Sequence, residues 1–247
     1  MNRIKCIISY DGTLFNGYQV QPNQRTVQTD FEKVLTKMHK GNPIRIHASG
    51  RTDTGVHAVG QVIHFDSEYA LQPEQWKRAL NAQLPKDINV RYVEIVDDNF
   101  HSRFDVVRKE YRYFIWNEKD ENVFSRNHHY FFPFDLNIVK MQEALDCLLG
   151  THDFSSFCAS NTDIKDKVRT IYKGSINKTD QGIVIALEGN GFLYNMVRII
   201  VGTLIEVGQG KRDVKSVKNA LLARDRAKAG KTSPPNGLFL WKVDYNN

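Results

Sequence analysis

The chain has 247 residues, 41% of them hydrophobic, with a formal charge of +6 and a pI near 9.1. That length holds one large domain or two small ones, each with a core of its own, and the composition excludes a disordered or low-complexity chain. Three cysteines, Cys6, Cys147 and Cys158, form neither a CxxC nor an even framework, which argues for a reducing compartment against a disulfide-stapled secreted domain. No metal site closes around Cys147, His152 and Cys158, because no fourth ligand is suitably spaced. Asp11 interrupts the N-terminal apolar run before a signal peptide can form. The longest apolar stretch, 192–205, contains Arg198 and is shorter than the roughly 20 residues of a bilayer span. The expectation is a soluble, cytoplasmic protein with no membrane association, whose basic excess favours a polyanionic partner.

In chain order, Arg3 to Ser9 reads as a strand, and Thr26 to Met38 places Val27, Phe31, Val34, Leu35 and Met38 on one helical face. Ile44, Ile46 and Ala48 alternate as in a strand. A second strand follows, with Val62 and His64 on one face and Ile63 and Phe65 on the other. Pro73 opens a helix carrying Trp76, Ala79, Leu80 and Leu84, and Pro85 ends it; Ile88 to Val96 is the next strand. The second half repeats this order. Strands lie around Phe104 to Trp116, a helix runs from Leu136 to Leu149 and is closed by Gly150, and Val168 to Ile176 and Ile183 to Glu188 form a hairpin through Thr179, Asp180, Gln181 and Gly182. An apolar helix spans Phe192 to Val207, a shorter one begins near Asp213, and Leu238 to Tyr245 is the last strand. The fold class is α+β, two ferredoxin-like (βαββαβ) domains with antiparallel sheets side by side. Residues 1–103 form the first domain and 104–247 the second, with a cleft between them as the expected place for a site.

Between the second and third strands stands GRTDTGVHA, Gly50 to Ala58. Gly50 and Gly55 permit backbone angles that other residues resist, and Thr52 and Thr54 can hydrogen-bond nearby backbone and so aim Asp53. By itself such a loop is usually an Asx-turn in a connection. Further along, Arg198 is the only charge in the apolar and aromatic run 192–205, so it must either reach outward or meet a carboxylate, for which Asp53 is the natural candidate. On the strand KEYRY, Lys109, Tyr111 and Tyr113 face one way, and Arg108, Glu110 and Arg112 the other.

GRTDTGVHAVGQVIHF resembles the catalytic signature of the tRNA pseudouridine synthase A family. Other family-like blocks run along nearly the whole chain: SYDGTLFNGYQVQP (9–22), KEYRY (109–113), GTHDFSSF (150–157), GFLYNMVR (191–198) and PPNGLFLWKV (234–243). The resemblance implies a pseudouridine-synthase fold, Asp53 as the essential catalytic carboxylate, and Tyr111, Arg51, Arg198 and Leu238 as substrate-binding residues. Arg51 would fill the space left by a flipped nucleotide or hold its phosphate, Tyr111 would stack on uracil, and Leu238 would pack against the base. It further implies a cofactor-free isomerase that converts uridine to pseudouridine at positions 38 to 40 of the tRNA anticodon stem-loop and works as a homodimer. The carboxylate has three possible roles: attack on the anomeric carbon, attack on carbon 6 of uracil, or removal of a sugar proton. Lys165, Lys167, Arg169, Lys211, Arg212, Arg224, Arg226 and Lys228 could track an RNA backbone. Three positions depart from the family pattern: Tyr18 where a Trp is usual, Asn195 where a His is frequent, and Ser233 before the paired prolines. Competing readings are a catalytically silent RNA-binding module and a nucleoside glycosidase that uses Asp53 on small molecules.

Overall fold

The computed structural model describes residues 1–162, 164–180 and 182–246. Gln181, read from the sequence as part of a hairpin turn, lies outside the described residues. In chain order the elements are β1 (Asn2–Tyr10), α1 (Val27–Met38), β2 (His47–Ala48), β3 (His57–Ser67), α2 (Pro73–Asn81) and β4 (Ile88–Val96). There follow β5 (Val106–Trp116), β6 (Tyr130–Phe131), α3 (Ile138–Asp146), β7 (Gly150–Asp153), β8 (Val168–Thr179), β9 (Gly182–Gly189), α4 (Met196–Gly208), α5 (Val214–Ala223) and β10 (Leu238–Tyr245). The fold is mixed α+β and divides into two compact units, residues 1–107 with the chain from Phe239 onward, and residues 108–238. The last strand, read from the sequence as the end of the second domain, clusters with the first unit. It does so because it pairs in parallel with β3, Phe239 beside His57 and Leu240 beside Ala58.

In the first unit β4, β1 and β3 lie side by side in antiparallel register, with Ile4 opposite Phe65 on one flank and Ile95 on the other. The far edge of β3 is shared: β10 pairs with its early half, and β2 with its later half at His64 and Ile63. The strand expected over Ile44 to Ala48 shortens to two residues. Pro43 has no N–H to offer a ladder, and the Ile46 N–H donates instead to Glu32 Oε1 at 3.1 Å. Thr26 caps α1, its hydroxyl accepting from Thr29 N at 3.2 Å, and Val27, Phe31, Val34 and Leu35 are its buried stripe. Trp76 and Leu80 are the buried pair of α2; Trp76 meets the Phe65 ring edge-on at 5.4 Å. Asn81 locks the end of α2 to β4 by accepting from Val90 N at 2.7 Å and donating to Val90 O at 2.9 Å.

The expected two faces of β3 are both covered: Val62, Ile63, His64 and Phe65 are all buried. A central strand of this kind buries polar residues only with partners. His64 has them, since its Nδ1 accepts the Ser102 N–H at 3.1 Å while its ring stacks on His47 at 4.9 Å and meets His101 edge-on at 4.8 Å.

In the second unit the strand order is β5, β9, β8, β7, with β6 beside β5. Tyr111, Tyr113 and Ile115 form the buried face of β5, matching the alternation read from KEYRY. Eleven of the thirteen residues of α4 are buried, in keeping with a helix apolar nearly all round apart from Arg198 and Glu206. The helix begins at Met196 rather than Phe192 because Asn195 adopts a left-handed conformation, φ 60, which breaks the helical path. Against α4 packs α3, so closely that a Cβ on Gly208 would lie 2.6 Å from Met141 Sδ. No helix among the described residues is long and apolar enough to cross a membrane.

The His64 environment generates a pH dependence. Burial first, then the charges of His47, His101 and Arg3, push its pKa down to about 4, against the pull of Asp66. Unfolded, the same imidazole takes a proton near pH 6.5. Its contribution to stability is therefore complete above pH 6.5 and is lost as the pH falls toward 4, by at most about 3 kcal/mol. Urea unfolding between pH 7 and pH 4.5 should show a steeper loss for the wild type than for His64→Gln; equal slopes would refute this assignment.

Candidate active site

Asp53 is half-buried in the loop that enters β3, with Thr52 buried on one side of it and exposed Arg51 beyond. Buried between exposed Arg51 and half-buried Asp53, Thr52 is the inward anchor of the Asp53 peptide. Its hydroxyl lies 2.8 Å from the Tyr10 hydroxyl, and its carbonyl accepts the Tyr18 N–H at 3.0 Å. The loop closes on itself where Val56 N donates to Asp53 O at 3.1 Å, and Gly55, at φ +77, donates to Phe15 O at 3.3 Å. Before the loop, Gln61 donates to Gly50 O at 2.7 Å and accepts the Ser49 hydroxyl at 2.6 Å.

The floor of the loop is the segment that follows β1. Gly12 N donates to His57 Nδ1 at 2.9 Å, and the His57 ring stacks on Phe239 at 4.5 Å. A Cβ on Gly12 would sit 2.1 Å from Val56 O, and one on Gly17 would lie 2.9 Å from Thr52 O. Two glycines thus let one backbone lie directly against another. Arg25 fastens this floor from below. Its guanidinium forks onto Asp87 at 2.8 and 2.9 Å, reaches Asp30 at 2.8 Å, and lies over the Phe15 ring at 4.2 Å. Tyr18, the first departure from the family pattern, is buried with its ring 6.4 Å from that of Tyr10.

The second unit gathers another set. Arg198, in the first turn of α4, donates through Nε to Ser233 O at 2.8 Å and through Nη1 to Asn195 Oδ1 at 2.9 Å. Two neutral acceptors thus aim part of its planar fork. Ser233 N donates back to Arg198 O at 3.1 Å, and the next carbonyl, Pro234 O, accepts the Tyr113 hydroxyl at 2.8 Å. Burial pushes the Tyr113 hydroxyl well above its usual pKa, while the Arg198 charge pulls the other way. Tyr111, two residues along on the same face of β5, is buried with its ring edge-on to Phe192 at 5.2 Å. Leu238 is buried directly after Gly237, whose missing Cβ would stand 2.6 Å from Phe114 O.

Within one unit, then, Arg51 and Asp53 share a loop; within the other, Arg198, Tyr111 and Leu238 border the same Tyr113–Pro234 region. Sequence reasoning missed Tyr10, His57, Gln61 and Arg25. The signal for Arg25 lay in its spacing from Asp30, but Asp87 is remote in sequence, and a hydroxyl partner for Thr52 has no local signature.

Comparison with known proteins follows the same map. A family profile described as tRNA pseudouridine synthase matches residues 6–105 and 144–246. The tRNA pseudouridine synthase A of Geobacillus sp. (strain WCH70) is 57% identical over 245 residues, covering 99% of both chains. That of Bacillus subtilis (strain 168) is 55% identical over 246 residues, covering 99% of this chain and all of its own. The Geobacillus kaustophilus protein of the same name is 55% identical over 99% of this chain and 95% of its own.

The backbone approach at Gly12 makes a sharp prediction. Its φ is ordinary for any residue, so Gly12→Ala should act through crowding alone, lowering stability by about 1–3 kcal/mol in urea unfolding. A variant as stable as the wild type would show that Val56 gives way freely.

Proposed function

The chain belongs to the tRNA pseudouridine synthase family, and on that premise we propose that it isomerises uridine to pseudouridine in tRNA, at positions 38 to 40 of the anticodon stem-loop, with Asp53 as the essential carboxylate. The reaction breaks the bond between the anomeric carbon and ring nitrogen 1, turns the base, and joins the same sugar carbon to carbon 5. Nitrogen 1 gains a proton and carbon 5 releases one, with no net redox change, so a cofactor has no electrons to carry. The chemistry asks for a carboxylate held near sugar and base, and for a pocket that retains the detached uracil.

The observation that carries this reading is the immobilised loop around Asp53, a half-buried carboxylate whose flanking peptides are pinned at Thr52, Gly55 and Val56. In this reading Arg51, exposed beside it, takes the gap or phosphate of the extruded nucleotide; Tyr111 and Leu238 face the base; and the fork of Arg198 orients charge beside it. Lys165, Lys211 and Lys228 are exposed and suited to phosphate. Arg224 and Arg212, by contrast, are engaged with Asp153 and Glu206, each at about 3.1 to 3.2 Å. Those two arginines support the RNA surface less directly than their position in the sequence suggested.

We also propose that each half derives from one ferredoxin-like βαββαβ ancestor. The strand order β4-β1-β3-β2 with crossover helices α1 and α2 supports this for the first half, and the succession β5, α3, β8, β9, α4 supports it for the second. We assign the enzyme to the cytoplasm, acting as a homodimer.

Release of tritium from tRNA labelled at carbon 5 of uridine tests the chemistry. Asp53→Asn should lower release by at least about 1,000-fold while tRNA binding stays within about threefold of wild type. Full turnover in that variant would refute the role of Asp53; tight tRNA binding by the wild type without any release would favour a silent RNA-binding module. Light scattering should give the mass of a dimer, and a monomer across a wide concentration range would contradict the assembly.

A further inference from the structure

We propose that Tyr10 is a positioning residue for the reaction, setting the direction of the Asp53 carboxylate through Thr52. The inference deepens the reading of Asp53 given above and rests on it.

The geometry begins in β1. Its register against β3 shifts between Ile8 and Tyr10, so that the strand is irregular where it reaches the loop. Irregularities of this kind re-aim a side chain that a regular strand would send elsewhere. Tyr10 is buried, and its hydroxyl meets Thr52 Oγ1 at 2.8 Å in surroundings closed to water. Gln61 is its second hydrogen-bonding neighbour, and the same Gln61 holds Gly50 O at 2.7 Å. One buried cluster therefore grips the loop at Gly50 and at Thr52, on the approach to Asp53. Thr52 is also held through its carbonyl by Tyr18 N at 3.0 Å. With both its hydroxyl and its carbonyl fixed, the Thr52 peptide leaves little rotational freedom to the Cα of Asp53.

The hydroxyl is suited to this use and to no acid–base role. Burial pushes its pKa up to about 12, against the pull of Thr52 and Gln61, so it stays a neutral hydrogen-bonding group at working pH. Removing it leaves the ring packed but strands the Thr52 hydroxyl in a dry site, which frees the loop to turn toward other partners. Catalysis is sensitive to such small displacements, whereas tRNA binding, spread over many contacts, is not.

Single-turnover tritium release at saturating tRNA, tRNA affinity and thermal unfolding would be measured for Tyr10→Phe, Thr52→Val, Thr52→Ser, the Tyr10→Phe/Thr52→Val double variant and Asp53→Asn. Tyr10→Phe and Thr52→Val should each slow the single-turnover step by about 10- to 100-fold, with tRNA affinity within about twofold of wild type. The double variant should be no slower than the slower single variant, since both delete the same bond. Thr52→Ser keeps a hydroxyl and should recover most of the loss seen in Thr52→Val. Assays run well below the unfolding midpoint of each variant separate a rate effect from a loss of folded protein. A wild-type rate in Tyr10→Phe, multiplicative losses in the double variant, or parallel losses of rate and affinity would overturn the proposal while leaving Asp53→Asn inactive. An active Asp53→Asn would instead remove the reading of Asp53 itself, and this proposal with it.

Discussion

The first unit depends on one close approach, the backbone of residues 12–17 lying against the backbone of residues 52–56. At Gly12 and Gly17 a side chain would occupy space already filled by Val56 O and Thr52 O. Contact at that range fixes two chain segments as a single surface, and each neighbouring bond then serves a defined purpose. Tyr18 N and Gly55 N carry hydrogen bonds in opposite directions across the seam. Arg25 joins Asp87 and Asp30 beneath it, one cation shared by two carboxylates, a network that holds its side chains more firmly than an isolated surface pair would. The loop carrying Asp53 is ordered by what lies below it as well as by its own turn residues.

The second unit solves a different problem, that of keeping a cation in the first turn of a helix buried nearly all round. The answer is geometric: a carbonyl and an amide oxygen take two corners of the Arg198 fork. Neutral acceptors of this kind set the direction of a guanidinium through hydrogen-bond geometry. Asn195 gives up the usual capping role to supply one of these oxygens, and its left-handed backbone turns its side chain back over the helix start. An Asn tolerates that conformation better than most residues do.

Much of this architecture is legible in the chain. The strand over Ile88 to Val96 and the last strand from Leu238 to Tyr245 have the bounds read from alternation, and α1 starts one residue after the Thr predicted to open it. Local rules worked where one face of an element is buried and the other is wet. They failed where that condition did not hold. Both faces of β3 are covered, so its alternation carries no direction; the apolar run from Phe192 continues past a backbone break at Asn195; and Ile44 and Ile46 alternate without a ladder to join. The Asp53 loop stood out through a string of residues whose meaning came from resemblance. Of its supports, His57 and Gln61 stand within that string, whereas Tyr10 and Arg25 come from segments distant in sequence, and such partnerships exist only once the chain has folded.

The parallel pairing of β10 with β3 has a consequence for how the protein comes into being. The strand that leads out of the Asp53 loop has its early edge filled by residues near the other end of the chain, at Phe239 and Leu240. During synthesis at about 5–20 residues per second, the first unit emerges with that edge bare, and its open N–H and C=O groups must wait for the rest of the chain to follow. Unpaired edges of this kind invite association with other nascent chains. The strand leaving the Asp53 loop thus gains its neighbour on that edge only once residues 239 and 240 have been synthesised.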